Sequence, residues 1–217
     1  METKPFVFYT RLHLTELTGL KASSLEQFLV LLKQVPDSCI YHHTHRFLQQ
    51  HQYLSPEPPN DFAYWLSDVL GDDELGEALA SIDTIQFSSL ALLRDKIIST
   101  IEKHVEMDPS SKNRFSRFGE EFHFMKSISF IMDTGQVAND LKEFADILKK
   151  ISLDSIYFHI FESRLRLGRK SNDFSSWIED SFGDKELAGR ISALDPYTYT
   201  LDELRNKVIK LIERRLK

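Results

Sequence analysis

Phe6-Val-Phe-Tyr-Thr-Arg-Leu-His-Leu-Thr-Glu-Leu-Thr-Gly19 and Phe122-His-Phe-Met-Lys-Ser-Ile-Ser-Phe-Ile-Met-Asp-Thr-Gly135 are the stretches on which the fold class turns. Phe6-Val-Phe8 and Phe122-His-Phe124 alternate as strands do. Thr18-Gly19 and Thr134-Gly135 close each segment like a turn. Leu12, Leu14 and Leu17 also admit a helix, so the reading stays open between a helix and a short extended piece.

The two stretches belong to a longer internal match. Residues 6–43 align with 122–159 without a gap. Residues 60–83 then align with 172–195, with ten of 24 positions identical, and 90–102 align with 201–213. A fixed period comes first in the reading, because missing it mis-assigns the fold. A residue kept in both copies serves the shared scaffold or a doubled site; a residue in one copy is free to be a specialisation.

Outside the opening segments the pattern is helical. Ser24 and Gln27 form a capping pair in front of Leu25, Phe28, Leu29 and Leu32, which share one helix face. Asp140, Leu141, Phe144 and Leu148 repeat the design. Ser38 and Ser155 are candidate caps for the next helices, Asn60-Asp61 and Asn172-Asp173 for the following ones. Gly71 and Gly183 stop those helices. Thr200 and Glu203 open the last helix as a capping box. The sequence therefore predicts an all-α fold: two similar helical repeats of about five helices each, with room for a short extended segment at the start of each. The expected layout is repeat 1 over residues 1–106, a linker over 107–121 and repeat 2 over 122–217.

Composition narrows the function. With 41% hydrophobic and 28% charged residues the chain reads as a soluble globular protein. A net charge of −6 argues against general nucleic-acid or anionic-membrane binding. No apolar run reaches the ~20 residues that span a bilayer. Met1-Glu-Thr-Lys-Pro5 lacks signal-peptide character. The single cysteine, Cys39, excludes an internal disulfide and fits a cytoplasmic location; Ser155 is its counterpart.

Several clusters carry potential chemistry. Tyr41-His42-His43-Thr44-His45 has histidines at metal-ligand spacing. In the second copy Phe158 and Phe161 replace His42 and His45, so only Tyr41/His43 and Tyr157/His159 are kept. Ile40, His43 and Phe47 share an apolar face, which makes His43 a buried imidazole in need of partners; Asp61 and Asp173, or a carbonyl at the start of the tryptophan helix, are the candidates. Trp65 and Trp177, in the repeated Asn-Asp-Phe-x-x-Trp phrase, read as core beside these histidines. Arg164, Arg166, Arg169 and Lys170 form a dense basic patch able to meet an anion or an acidic partner. No phosphate loop, dinucleotide fingerprint or nucleophile elbow is present, and no cofactor is implied.

Tyr41-His-His-Thr-His-Arg-Phe47, Asn60-Asp-Phe-Ala-Tyr-Trp65 and Ser155-Ile-Tyr-Phe-His-Ile-Phe-Glu162 resemble an uncharacterised prokaryotic domain-of-unknown-function family that often occurs in tandem copies. The resemblance covers nearly the whole chain. It implies a bacterial or archaeal cytoplasmic protein and brings no activity or functional residue with it.

The leading expectation is a non-enzymatic protein-interaction or regulatory module, with a protein partner or self-association. The alternative is a ligand- or metal-binding protein, or an enzyme, with a pocket near Tyr41, His43 and Trp65.

Overall fold

The computed structural model describes residues 4–51, 60–163, 165, 171–194 and 199–217. β1 runs Phe6–Ala22 and β2 runs Phe122–Ala138, 17 residues each. They pair as a two-stranded antiparallel sheet. The expectation of an all-α fold built of two five-helix repeats is overturned: the architecture is mixed, helices plus a long ribbon. The physical reason lies in the spacing of the leucines. At roughly 100° per residue in a helix, Leu14 and Leu17 would point about 200° and 140° away from Leu12, so no apolar stripe forms. Alternation fades beyond Phe8 and Phe124 for a related reason. Burial is concentrated at the strand ends, at Phe6, Phe8, Ala22, Phe122, Phe124 and Ala138. The middle of the ribbon has no face to hide.

The Thr-Gly pairs are not turns. Gly19 and Gly135 have φ of 78° and 70°, and each strand continues three residues further. A left-handed glycine inside a strand marks a bulge. Thr18 Oγ1 donates to the Phe124 carbonyl at 2.5 Å, and Thr134 Oγ1 to the Phe8 carbonyl at 2.7 Å.

The helices follow in chain order: α1 Leu25–Leu32, α2 Asp37–Tyr41, α3 Phe47–His51, α4 Asp61–Tyr64, α5 Asp73–Ala80, α6 Leu90–Met107, α7 Leu141–Leu148, α8 Leu153–Tyr157, α9 Asp173–Phe182, α10 Lys185–Ser192 and α11 Leu201–Arg215. Single π-helical turns follow α2 (His42–Arg46), α4 (Trp65–Val69) and α8 (Phe158–Glu162). Most caps are those the sequence announces. Ser24, Asn60, Asp140, Asn172 and Thr200 each accept a backbone N–H three residues on. Asp72 and Asp184 do the same after the positive-φ glycines 71 and 183. Ser38 and Ser155 are not caps. Pro36 precedes α2, and Ser152 caps α8.

The chain forms two compact units. The first comprises Met1–Leu12 and Ser129–Lys217, the second His13–Ile128. Each strand is thus divided between them. In the first unit, residues 6–12 and 129–138 pack with α7–α11. Phe6 packs against Phe8, Phe144, Phe174 and Trp177, with ring centroids 4.7–5.5 Å apart. In the second unit, residues 13–22 and 122–128 pack with α1–α6. Phe122 meets Phe28, Phe62, Trp65 and Phe124 at 4.9–5.6 Å. Edge-on aromatic contacts of this kind add to area burial. Among the described residues no helix is long and apolar enough to cross a membrane.

Candidate functional site

The histidines kept in both copies sit at one kind of position. In the second unit His43 is fully buried, and its Nδ1 lies 2.6 Å from Asp61 Oδ2. Its Nε2 lies 2.9 Å from the backbone nitrogen of Met125 on β2. A backbone N–H can only donate, so Nε2 is the acceptor and Nδ1–H donates to the carboxylate. The first unit repeats the geometry. His159 Nδ1 donates to Asp173 Oδ2 at 2.7 Å, and its Nε2 accepts the N–H of Tyr9 on β1 at 2.8 Å. Each imidazole therefore bridges the first residue of a helix to the outer edge of a strand. Pinning an edge with a side chain also blocks unwanted strand pairing there. Ser155 Oγ completes the arrangement on Tyr9 by donating to its carbonyl at 2.6 Å. Chemically the ring has no lone pair left for a substrate or a metal.

The tryptophans brace the same strands. Trp65 Nε1 donates to the Glu120 carbonyl at 2.9 Å and its ring stacks on Phe28. Trp177 Nε1 donates to the Lys4 carbonyl at 2.7 Å and its ring stacks on Phe144.

His42 and His45, specific to the first copy, form a separate group in the second unit together with the shared Tyr41. His42 Nδ1 shares a 2.9 Å hydrogen bond with Ser127 Oγ, Tyr41 Oη one of 3.1 Å with His13 Nε2, and His45 Nδ1 one of 3.1 Å with Thr44 Oγ1. The Tyr41 and His45 rings stack at 5.7 Å. In the first unit the position of His42 is taken by Phe158, under the Arg11 guanidinium at 5.4 Å, and Arg11 pairs with Glu162 at 2.8 Å. Tyr157 is buried against Phe161. Among the described residues no group of three or more His, Cys, Asp or Glu side chains is placed to hold a metal ion. The basic patch Arg164, Arg166, Arg169 and Lys170 lies outside the described residues.

Burial, with His43 as the next contribution, pushes the His42 pKa from its ordinary 6.5 down to about 4. The unfolded chain thus binds the extra proton between these values. Stability contributed by neutral His42 is fully present above pH 6.5 and is lost as the pH falls towards 4. The melting temperature should therefore decline across this window. The decline should be shallower in His42→Phe, which installs the residue of the other copy. Equal slopes in thermal melts from pH 7 to 4 would refute the assignment. Burial also pushes the Cys39 thiol up to about 11, so it stays protonated and is a poor nucleophile.

One cluster escaped the sequence reading. Asp72, the N-cap of α5, accepts from Leu75 N–H through Oδ1. Its Oδ2 lies 3.0 Å from His104 Nε2 and 3.3 Å from Arg114 Nε. Asp72 is 2% and His104 7% exposed. At the matching place in the first unit Arg215 Nε lies 2.6 Å from Asp184 Oδ2, and that hydrogen bond first of all holds the Asp184 carboxyl below its usual range. The available signal was a nitrogen-donor side chain 32 or 31 residues after the capping aspartate in both copies.

No curated protein matches the chain. Among solved structures it is similar to one titled "The structure of OrfY from Thermoproteus tenax". The two share 28% sequence identity and a TM-score of 0.81, over 98% of this chain and 96% of that one. A family model matches residues 3–213, and the chain belongs to that family, the family of unknown function DUF5752.

Proposed function

We propose that this chain is a protein-interaction module whose binding element is the β-ribbon, and that its partner there is a second copy of the chain. The observation that carries the reading is the exposed apolar surface of the ribbon within the first unit. Leu12, Phe130, Ile131 and Met132 are each about half exposed, at 49–53%. Soluble monomers seldom leave such residues clustered without a use.

The sequence of this strand favours a β partner. Residues 128–132, Ile-Ser-Phe-Ile-Met, carry no charge and no proline, the devices that normally guard an exposed edge. Strand β2 has β1 as its one strand neighbour among the described residues. A second β2 meeting it about a two-fold axis would present the same apolar residues from both sides, as an isologous interface does. An overall charge of −6 makes other, charge-driven contacts between copies repulsive and leaves the uncharged strand as the permissive place.

Analytical ultracentrifugation tests this. The wild-type protein should sediment as a dimer. Phe130→Lys combined with Met132→Lys should give a monomer with an unchanged circular dichroism spectrum. A wild type that stays monomeric at high concentration, or a variant that stays dimeric, overturns the reading.

A further inference from the structure

The second unit contains a cavity of about 680 Å³ bounded by α5, α6 and the turn at Thr84–Gln86. That volume falls in the range of small-molecule sites, ~300–1,000 Å³. Along α6 the lining residues Lys96, Thr100, Lys103, His104 and Met107 form one helical stripe. Glu74 and Asp83 line it from other segments, and Ile82 and Phe87 add apolar surface. Both signs of charge thus face one space. Among the described residues neither lysine nor Glu74 is in an ion pair.

The first unit shows what the scaffold itself demands. At the matching positions Lys207 rests on the Tyr199 ring at 3.7 Å, and Arg215 is engaged by Asp184. Arg190 and Leu211 stand where the second unit has Ala78 and Thr100. There Lys207 and Arg215 are used internally. The Asp72 tie needs only one donor, which an arginine supplies in the other unit. A histidine does more: with Nε2–H on Asp72, its Nδ1 has no protein partner among the described residues and is not sealed off. The ring lines the cavity.

We propose that this cavity binds a zwitterion: a carboxylate held by Lys96 and Lys103, an ammonium held by Glu74 and Asp83, and an apolar body between them. A free amino acid with an apolar side chain and a short apolar peptide share this chemistry. A simple anion would meet the two acids, and a simple cation the two lysines, so each loses part of what the zwitterion gains. The Asp72–His104 pair adds a fixed imidazole nitrogen for a ligand N–H or O–H. The proposal does not depend on the ribbon.

Titration calorimetry with L-phenylalanine, phenylalanyl-phenylalanine, 3-phenylpropanoate and phenethylamine tests it. One of the two zwitterions should bind at least tenfold tighter than either singly charged analogue; which one binds tighter identifies the source. Lys103→Glu should weaken that binding tenfold or more. His104→Arg, which keeps a hydrogen-bond donor on Asp72 as the first unit does, should hold the melting temperature and lose affinity. If His104→Arg fails to fold, Lys103→Glu at its exposed position carries the test alone. No binding of either zwitterion at millimolar concentration overturns the proposal. So does equal binding of the singly charged analogues, or affinity unchanged by the variants that fold.

Discussion

His43→Ala should destabilise the protein by about 3–5 kcal/mol, the cost of a buried ring cavity together with orphaned hydrogen-bond groups. The substitution leaves the Met125 N–H without its acceptor and Asp61 without its donor. Asp61 is 27% exposed at its side chain, so water recovers part of its loss; the fully enclosed ring position recovers nothing. His43→Gln should cost less, ~1–3 kcal/mol, because a carboxamide offers one donor and one acceptor at similar separation but not the rigid ring. Urea denaturation of both variants measures the difference. A glutamine variant as damaged as the alanine one would show that ring packing, not the bridge, is what matters. An alanine variant of near wild-type stability would refute the bridge altogether.

Phe6→Ala should cost about 3–5 kcal/mol, as large-to-small changes at packed aromatic positions do. Its more telling effect is where the loss falls. Phe6 stands at the start of the chain, yet its ring lies among Phe144, Phe174 and Trp177. Hydrogen exchange should therefore speed up in helices α7–α11 and stay slow in α1–α6. Phe122→Ala should give the reverse, because Phe122 packs on Phe28, Phe62 and Trp65. If Phe6→Ala loosens the helices nearest to it in sequence instead, the division of the strands between the units is wrong.

Both predictions rest on pairs that were only half legible beforehand. The imidazole–carboxylate half of each bridge could be read from the repeat. His43 and His159 lie on apolar faces, a buried ring needs partners, and Asp61 and Asp173 stand at the next helix start. The other half, a strand N–H, could not be read. Met125 and Tyr9 lie 82 and 150 residues away from their histidines, and nothing local in an edge residue announces an outward-facing N–H. The cavity histidine was invisible for another reason. His104 fits the face of an ordinary amphipathic helix, and only packing shows that its ring closes on Asp72.

What the sequence determined by itself are the things that short-range chemistry decides. Helix starts at Ser24, Asn60, Asn172 and Thr200 follow from side chains that satisfy free backbone N–H groups within three residues. The helix-borne rings of each core, Phe28, Phe62 and Trp65 and their counterparts Phe144, Phe174 and Trp177, follow from helical spacing. Tertiary structure alone decided that the opening segments are 17-residue strands, and which helices each strand end serves. Strand pairing is non-local: the Phe8–Thr134 and Thr18–Phe124 bonds join residues more than a hundred apart. A two-stranded ribbon also imposes no buried face along its middle, so the period-two signal that would have announced it was never written there.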